Sequence, residues 1–250
     1  MFNLNLRQLF RKTPFKGDVI VFAEHKAIYF AIPKVANSSF KSLAVDVLRN
    51  DIPECCYREN AKTYAFMHKP CRRQLEKQRI LVKQFKGGEK NYWKFTVVRN
   101  PFDRLRSCYS QKVKMLDTHG SPLTNERFVG GVSRSFRRQF GEAFHGEMSF
   151  PEFIDVVCSI PYDKADKHFR PQADFVCDAR GKLLVDHVAR MENLPEEFEL
   201  IRSQCGFAPE HTLSHRNQSK HGKQRIEYRD SDYDKVRNHY ANDFELFGYS

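Results

Sequence analysis

One stretch of sequence decides the fold: Ile32-Pro33-Lys34-Val35-Ala36-Asn37-Ser38-Ser39-Phe40-Lys41. It follows an apolar run, Ala27-Ile28-Tyr29-Phe30-Ala31, and leads into a helical pattern that continues to Leu48. A buried strand, a short polar turn and a helix start are typical of an α/β fold. The first helical turn has N–H groups without partners, and the helix dipole places positive charge there. Because Lys34 adds a full charge, the loop is predicted to bind a phosphate or sulfate group.

The polar residues of this loop are small enough for an anion to approach the backbone. Asn37, Ser38 and Ser39 are N-cap candidates and supply amide or hydroxyl donors. The loop lacks the glycines of a Walker A sequence, and its lysine precedes the helix, which disfavours an ordinary nucleotide kinase. Taken alone, an ordinary strand-to-helix connection with an exposed lysine explains the pattern equally well.

A second segment narrows the choice. The apolar run from Trp93 to Val98 predicts another buried strand, followed by Arg99-Asn100-Pro101-Phe102-Asp103-Arg104-Leu105-Arg106-Ser107. Asn100 is predicted to be an N-cap and Pro101 the first helical residue. Arg99 at the strand end and Ser107 about two turns into the helix can reach one point at the sheet edge where α/β proteins bind ligands. An arginine fork and a hydroxyl suit a phosphate monoester. A surface arginine and a helix serine with no shared partner is the alternative.

These segments resemble the nucleotide-binding elements of sulfotransferases that use 3′-phosphoadenosine 5′-phosphosulfate, in particular the Golgi carbohydrate sulfotransferases of the chondroitin and HNK-1 type, sulfotransferase family 2. Pro33–Lys41 is similar to that family's P-K-V-A-x-[ST]-x-[WF]-K. Val98–Tyr109 is similar to its V-R-[DN]-P-F-x-R-L-x-S-x-[YF], and His168–Gln172 to its H-W-x-P-Q. The resemblance continues in order through Val188–Leu194, Asn217–Lys220, Tyr233 and Tyr240–Tyr249, so it spans about residues 27–249.

The resemblance implies a P-loop NTPase-like sulfotransferase fold. The expected architecture is a single α/β domain over residues 18–250, after an N-terminal extension of residues 1–17. Its central sheet is expected to be mostly parallel and flanked by helices.

The resemblance also implies residue roles. Lys34 would stabilise the leaving oxygen, Arg99 and Ser107 would hold the 3′-phosphate, and the product would be adenosine 3′,5′-bisphosphate. The other residues expected to contact the nucleotide are Val35, Ala36, Asn37, Ser38, Ser39, Phe40, Ser219 and Lys220.

The acceptor hydroxyl needs a base, and histidine has a suitable pKa. His168 lies in the H-x-x-P-Q segment, and His68 lies between the two nucleotide elements, where related glycan sulfotransferases carry their base. Glu192 is a weaker candidate. Histidines of a basic protein are more often structural or merely exposed, so each assignment has that alternative.

Composition agrees with this interpretation. The chain has 250 residues, a formal net charge of +11 and a pI near 9.3, which indicates an anionic partner. The basic residues are spread along the chain rather than gathered into one block, which argues against nucleic acid. A glycan or another hydroxyl compound is the expected acceptor. A kinase-like phosphotransferase on a related fold and a non-catalytic polyanion-binding module are the alternatives.

Targeting and metal signals are weak. No run of about 18 apolar residues would span a membrane, and residues 1–16 lack the apolar region of a signal peptide. A soluble, cytoplasmic protein is expected, or a Golgi protein if an N-terminal anchor is missing from the sequence. The seven cysteines contain no C-x-x-C pair and are expected to be reduced. His211 and His215 have helical spacing but no further ligand pattern, so no metal is expected.

The remaining segments give coarser expectations. Residues 18–23 and 27–32 predict a hairpin before the loop that is predicted to bind an anion, called the anion loop below. Residues 70–84 predict a mostly exposed helix. Residues 118–145 are interpreted as a mobile, basic loop on the acceptor side, or simply a solvated loop; the arginines available there are Arg134, Arg137 and Arg138.

Three later elements are predicted from local patterns. Ser149-Phe150-Pro151-Glu152 predicts a capped helix to about Cys158. Residues 183–188 are predicted to form a core strand, and residues 232–240 a terminal helix.

Overall fold

The structure, a computed structural model, describes residues 17–83, 91–213 and 226–250. Its strands are β1 (Asp18–Phe22), β2 (Ala27–Ala31), β3 (Leu81–Val82), β4 (Trp93–Val98), β5 (Phe128–Val129), β6 (Val132–Ser133) and β7 (His187–Arg190). Its α-helices are α1 (Asn37–Val47), α2 (Tyr64–Met67), α3 (Lys69–Lys77), α4 (Pro101–Lys112), α5 (Arg134–Phe140), α6 (Phe150–Ser159), α7 (Ala173–Val176), α8 (Leu194–Cys205), α9 (Asp230–His239) and α10 (Ala241–Phe247).

The described residues divide into two compact units, and the main sheet belongs to the first, residues 17–98 and 172–213. The strand order is β3-β1-β2-β4-β7. β1 pairs antiparallel with β2 and β3, whereas β2, β4 and β7 run parallel. The predicted α/β fold with a central sheet and flanking helices is confirmed, and so is the hairpin. The sheet is mixed, because β1 adds antiparallel pairs on one side of the parallel strands β2, β4 and β7.

The central strands form because their apolar residues are buried on both faces. All five residues of β2 are buried, which explains why its sequence is a continuous apolar run. The Tyr29 ring stacks on Phe40 of α1 at 4.7 Å and on Phe95 of β4 at 5.3 Å. Since β2, β4 and β7 are parallel, their carboxyl ends lie at one edge of the sheet, from which the anion loop emerges.

The second unit, residues 99–171 and 226–250, is held by an aromatic core. α4 contributes Phe102, Leu105, Cys108 and Tyr109, which are buried in this core. Further fully buried members of the core are Phe136, Phe144, Phe153 and Phe169.

The prediction of a mobile loop over residues 118–145 is wrong. This segment contains the β5–β6 hairpin and α5, and Val132 and Phe136 are fully buried. Gly130 and Gly131 form the turn with φ of 52° and 77°, a region that favours glycine. A Cβ atom at Gly146 would collide with the Gly130 carbonyl oxygen, so the turn rests directly on this backbone.

Other helix and strand boundaries also differ from expectation. The helix predicted over residues 70–84 ends at Lys77, because Arg79 is left-handed (φ 58°) and Leu81–Val82 joins the sheet as β3. The strand predicted over residues 183–188 begins only at His187, where pairing with β4 starts. The capped helix from Ser149 is confirmed as α6.

The predicted terminal helix is confirmed as α9, and α10 follows it directly. Of the helices that the structure describes, none combines the length and apolar character needed to cross a membrane.

Candidate functional site

The loop between β2 and α1 has an unusual backbone. Lys34 and Ala36 have positive φ angles of 76° and 54°, although neither is glycine. Ala36 is the N-cap of α1 and supplies no side-chain cap, so the expectation that Asn37, Ser38 or Ser39 would cap this helix is wrong. The left-handed turn at Ala36 places these three residues inside the first helical turn. Left-handed residues outside glycine cost free energy and cluster at ligand-binding sites.

This backbone leaves the start of α1 open to an anion. The amides of Ser39 and Phe40 donate to the Ala36 carbonyl at 2.9 and 3.1 Å. The amides of Ala36, Asn37 and Ser38 precede any intrahelical acceptor. The first turn contains no acidic residue. Backbone N–H groups at such a turn, the helix dipole and Lys34 all favour a negatively charged group.

Asn37 provides a second sign that the loop is built for a ligand. Its Oδ1 atom is buried and has no hydrogen-bond partner among the described residues. An unsatisfied buried oxygen costs free energy, so it is uncommon without a role. A half-turn of the Asn37 amide presents an N–H donor at the same position, so the side chain can face either an acceptor or a donor of a ligand.

The far side of the loop is held rigidly. Phe40 is fully buried, and its ring packs against Tyr29, Phe95 and Phe198. Lys41, the last residue of the loop motif, makes an ion pair with Asp18 at 3.3 Å, and Asp18 also accepts from Arg72. α1 is therefore tied to β1 and α3 just behind the loop.

The second predicted element begins α4 as expected. Asn100 accepts a hydrogen bond from the Phe102 amide at 3.0 Å, and Pro101 occupies the first turn. Arg99 and Ser107 are both partly exposed. A surface cavity of about 150 Å³ lies between the first turns of α4 and α9, and its lining residues are Asn100, Phe102, Asp103, Arg106 and Tyr233.

Arg106 in this cavity was not singled out from the sequence. Its guanidinium pairs with Asp103 at 2.9 Å, donates to the Ile226 carbonyl at 3.1 Å and lies 4.7 Å from the Tyr228 ring centroid. These contacts fix the Arg106 guanidinium beside the Asp103 carboxylate at the cavity. No local pattern identifies it, since Ile226 and Tyr228 are over 100 residues away in sequence.

His168 lies in a tight turn beside Asp166. Its Nδ1 atom is 2.6 Å from Asp166 Oδ1, and its side chain is 16% exposed. Burial lowers the pKa of His168 to about 4, although the hydrogen bond to Asp166 opposes this, and the nearby Lys112 and Lys167 lower it further. Burial raises the pKa of Asp166, but the hydrogen bonds from His168 outweigh it and keep this pKa below its usual value. An ionised carboxylate only accepts, so Nδ1 carries the proton and Nε2 keeps its lone pair.

The other two base candidates have different surroundings. His68 is exposed, its Nδ1 atom lies 3.4 Å from the Cys71 sulfur, and its ring stacks on Tyr64 at 4.7 Å. Glu192 is exposed in the turn that follows β7. Asp166 therefore orients His168 through a carboxylate, whereas His68 lies beside a thiol and a tyrosine ring.

Comparison with known protein families decides what these elements belong to. The model of the sulfotransferase family matches residues 17–250. The chain belongs to the sulfotransferase family. Searches of curated proteins and of solved structures found no match.

The predicted residues of this sulfotransferase lie in both units. The first unit holds the whole anion loop from Lys34 to Phe40, together with His68 and Glu192. The second holds Arg99, Ser107 and His168. Ser219 and Lys220 lie outside the described residues, as do His215 and residues 1–16.

A phosphosulfate group fits the loop of the sulfotransferase. The open amides, the left-handed turn, Lys34 and the unsatisfied Asn37 oxygen form a polar cradle without a carboxylate in the first turn. Within residues 17–83, 91–213 and 226–250, no group of three or more His, Cys, Asp and Glu side chains is arranged to hold a metal ion. All seven cysteines are described, and none of them is in a disulfide bond.

Proposed function

We propose that this sulfotransferase moves the sulfuryl group of 3′-phosphoadenosine 5′-phosphosulfate to a hydroxyl group of a carbohydrate acceptor. The observation that carries the proposal is the anion loop, whose left-handed Lys34 and Ala36 open the start of α1. Membership of the sulfotransferase family supplies the reaction class.

The donor supplies the sulfuryl group, and the chain supplies positioning and charge. The acceptor oxygen forms a bond to sulfur while the bond from sulfur to the bridging oxygen of the 5′-phosphate breaks. Lys34 and the loop amides from Val35 to Ser38 stabilise the negative charge that grows on that oxygen. Such preorganised donors are often a large part of catalysis. The amides of Ser39 and Phe40 serve the helix, so their contribution is structural.

A base must take the acceptor proton, and His168 is the better candidate. Its Nε2 lone pair is available near neutral pH because burial keeps the pKa of the ring low. Asp166 fixes the tautomer and would stabilise the imidazolium ion as it forms. The described contacts of His68 are with the Cys71 thiol and the Tyr64 ring, neither of which would stabilise an imidazolium ion as a carboxylate does.

The 3′-phosphate is assigned to Arg99 and Ser107, which distinguish this donor from a plain adenylate. The helix dipole at the start of α4 favours the same charge. Ser219 and Lys220 are proposed to contact the nucleotide by resemblance alone.

Calorimetry with adenosine 3′,5′-bisphosphate, ATP and a short oligonucleotide tests this assignment. The bisphosphate is expected to bind at least tenfold more tightly than ATP. Arg99→Ala should abolish this preference, whereas Arg180→Ala, which removes a 91% exposed arginine side chain, should not. Equal affinity for ATP would favour a kinase-like phosphotransferase, and preference for the oligonucleotide would favour a polyanion-binding module.

Lys34→Ala separates chemistry from binding. The variant should keep bisphosphate affinity within about tenfold and lose turnover by a factor of about 100 or more, as expected for a group that acts on a transition-state charge. Lys182→Ala removes an exposed lysine elsewhere and is the control. If Lys34→Ala weakened binding but left kcat at saturating donor unchanged, Lys34 would be a ground-state ligand only.

The acceptor is proposed to be a glycan because the chain carries a net charge of +11 and many glycans are acidic. A screen of desulfated and neutral glycans with ³⁵S-labelled donor tests this. Transfer to a small phenol or amine in preference to every glycan would overturn the proposal.

A further inference from the structure

The turn that carries His168 is held both by its own residues and by side chains from distant elements. Within residues 165–170, the backbone amides of Phe169 and Arg170 both donate to the Asp166 carbonyl, at 3.1 and 2.9 Å. The Arg170 side chain folds back on the turn and donates to the Ala165 carbonyl at 2.8 Å. The turn is therefore already closed by its own residues.

Two further residues reach it from other parts of the sequence. Arg104 of α4 donates from Nη1 to the Arg170 carbonyl at 2.7 Å and from Nη2 to the Lys167 carbonyl at 3.2 Å. Tyr240, between α9 and α10, donates its hydroxyl to the Phe169 carbonyl. The carbonyls on both sides of His168 are thus fixed by donors that the turn itself does not supply.

Both donors are fully buried, with exposed fractions of 2% for Arg104 and 1% for Tyr240. A buried guanidinium is costly, and burial lowers the pKa of Arg104 accordingly. The turn is already closed by its own hydrogen bonds, so the buried guanidinium adds a further constraint on where the Lys167 and Arg170 carbonyls lie. The free-energy cost of burying the Arg104 guanidinium is understandable if the position of His168 on the turn must be fixed.

We infer that Tyr240 and Arg104 are positioning residues that hold His168 in place for proton transfer. The inference rests on the proposed function, in which His168 is the base. It adds a connection that the family resemblance did not supply. α4 begins beside Arg99 and carries Arg104 one turn later, so one helix supports both the proposed 3′-phosphate residues and the base.

Tyr240→Phe is the first test because it removes one hydroxyl and little else. Tyr109→Phe is the matched control, since Tyr109 is also buried and donates its hydroxyl to a carbonyl, that of Met148 at 2.6 Å. Both variants should lose similar thermal stability and should bind adenosine 3′,5′-bisphosphate within about twofold of the wild type. Only Tyr240→Phe should lose turnover, by about tenfold, with ³⁵S-labelled donor and desulfated chondroitin as the acceptor probe.

The His168 imidazole resonance gives a readout that needs no acceptor. It is assigned with His168→Asn and followed by NMR from about pH 8 to pH 4. Tyr240→Phe should move its titration midpoint upward, because a looser turn lets water reach the ring between Asp166, Lys112 and Lys167. Tyr109→Phe should leave the midpoint unchanged. Arg104→Lys should act in the same direction as Tyr240→Phe and more strongly if it folds.

Identical turnover and identical His168 titration in Tyr240→Phe and Tyr109→Phe would overturn the inference. A shifted titration with no sulfuryl transfer by the wild type would instead support the positioning and count against the proposed function. The two proposals therefore fail in distinguishable ways.

Discussion

The buried His168 predicts a specific loss of stability in acid. The ordinary pKa of a histidine is 6.5, and burial lowers that of His168 to about 4 in the folded protein. A group with a lowered pKa binds its proton more readily in the unfolded chain. The contribution of the neutral His168 ring to the free energy of unfolding is therefore fully present above pH 6.5. It is lost as the pH falls from 6.5 toward about 4.

The magnitude follows from the two pKa values. At about pH 5 the unfolded ring is almost fully protonated, whereas the folded ring is about one-tenth protonated, which costs about 2 kcal/mol relative to pH 7.5. This pH-dependent loss of unfolding free energy should be absent in His168→Asn, because the asparagine amide can donate to Asp166 in place of Nδ1 but does not titrate. The exposed His119 offers His119→Asn as the control.

Urea unfolding followed by circular dichroism at about pH 7.5 and pH 5 measures the effect. The free energy of unfolding of the wild type should fall by about 2 kcal/mol more than that of His168→Asn over this interval. His119→Asn should behave like the wild type. A wild type that became relatively more stable in acid would mean that Asp166 raises the pKa of His168, and the reasoning from burial would be refuted.

The remaining predictions concern local backbone and cap structure. Ala36→Gly should not destabilise the protein, because Ala36 has a left-handed backbone that glycine adopts without strain. Ala44→Gly, inside α1, should lower the free energy of unfolding by about 1 kcal/mol or more. Urea unfolding compares the two variants, and equal losses would contradict a strained Ala36. Ser149→Ala should cost about 1 kcal/mol through loss of the capping box of α6. Ser159→Ala, at the exposed end of the same helix, should change the melting temperature little, and an equal loss in both would argue against the cap.

Much of the fold could be predicted because its signals are local. The hairpin, β4 and the caps at Asn100 and Ser149 depend on residues within a few positions of each other. The β5–β6 hairpin also had a local signal, Gly130-Gly131 between apolar residues, which the basic composition of the segment obscured.

The site was harder to predict where distant residues decide it. The loop, Arg99 and Ser107 were identifiable from their order along the chain. The left-handed Ala36 was not, since alanine usually avoids that conformation. The roles of Arg104 and Tyr240 depend on contacts across 63 or more residues. Sequence order therefore indicated the proposed nucleotide elements, but not the support of the proposed base.

The close approach at Gly146 limits how this protein can be recombined. The β5–β6 turn leaves no room for a side chain at Gly146, and Lys114 donates to the Gly146 carbonyl at 3.0 Å. The Met115 amide in turn donates to the Gly131 carbonyl at 3.1 Å. A hairpin transplanted alone from another sulfotransferase would have to match this surface by chance. An exchangeable block must therefore include at least Lys114 to Gly146.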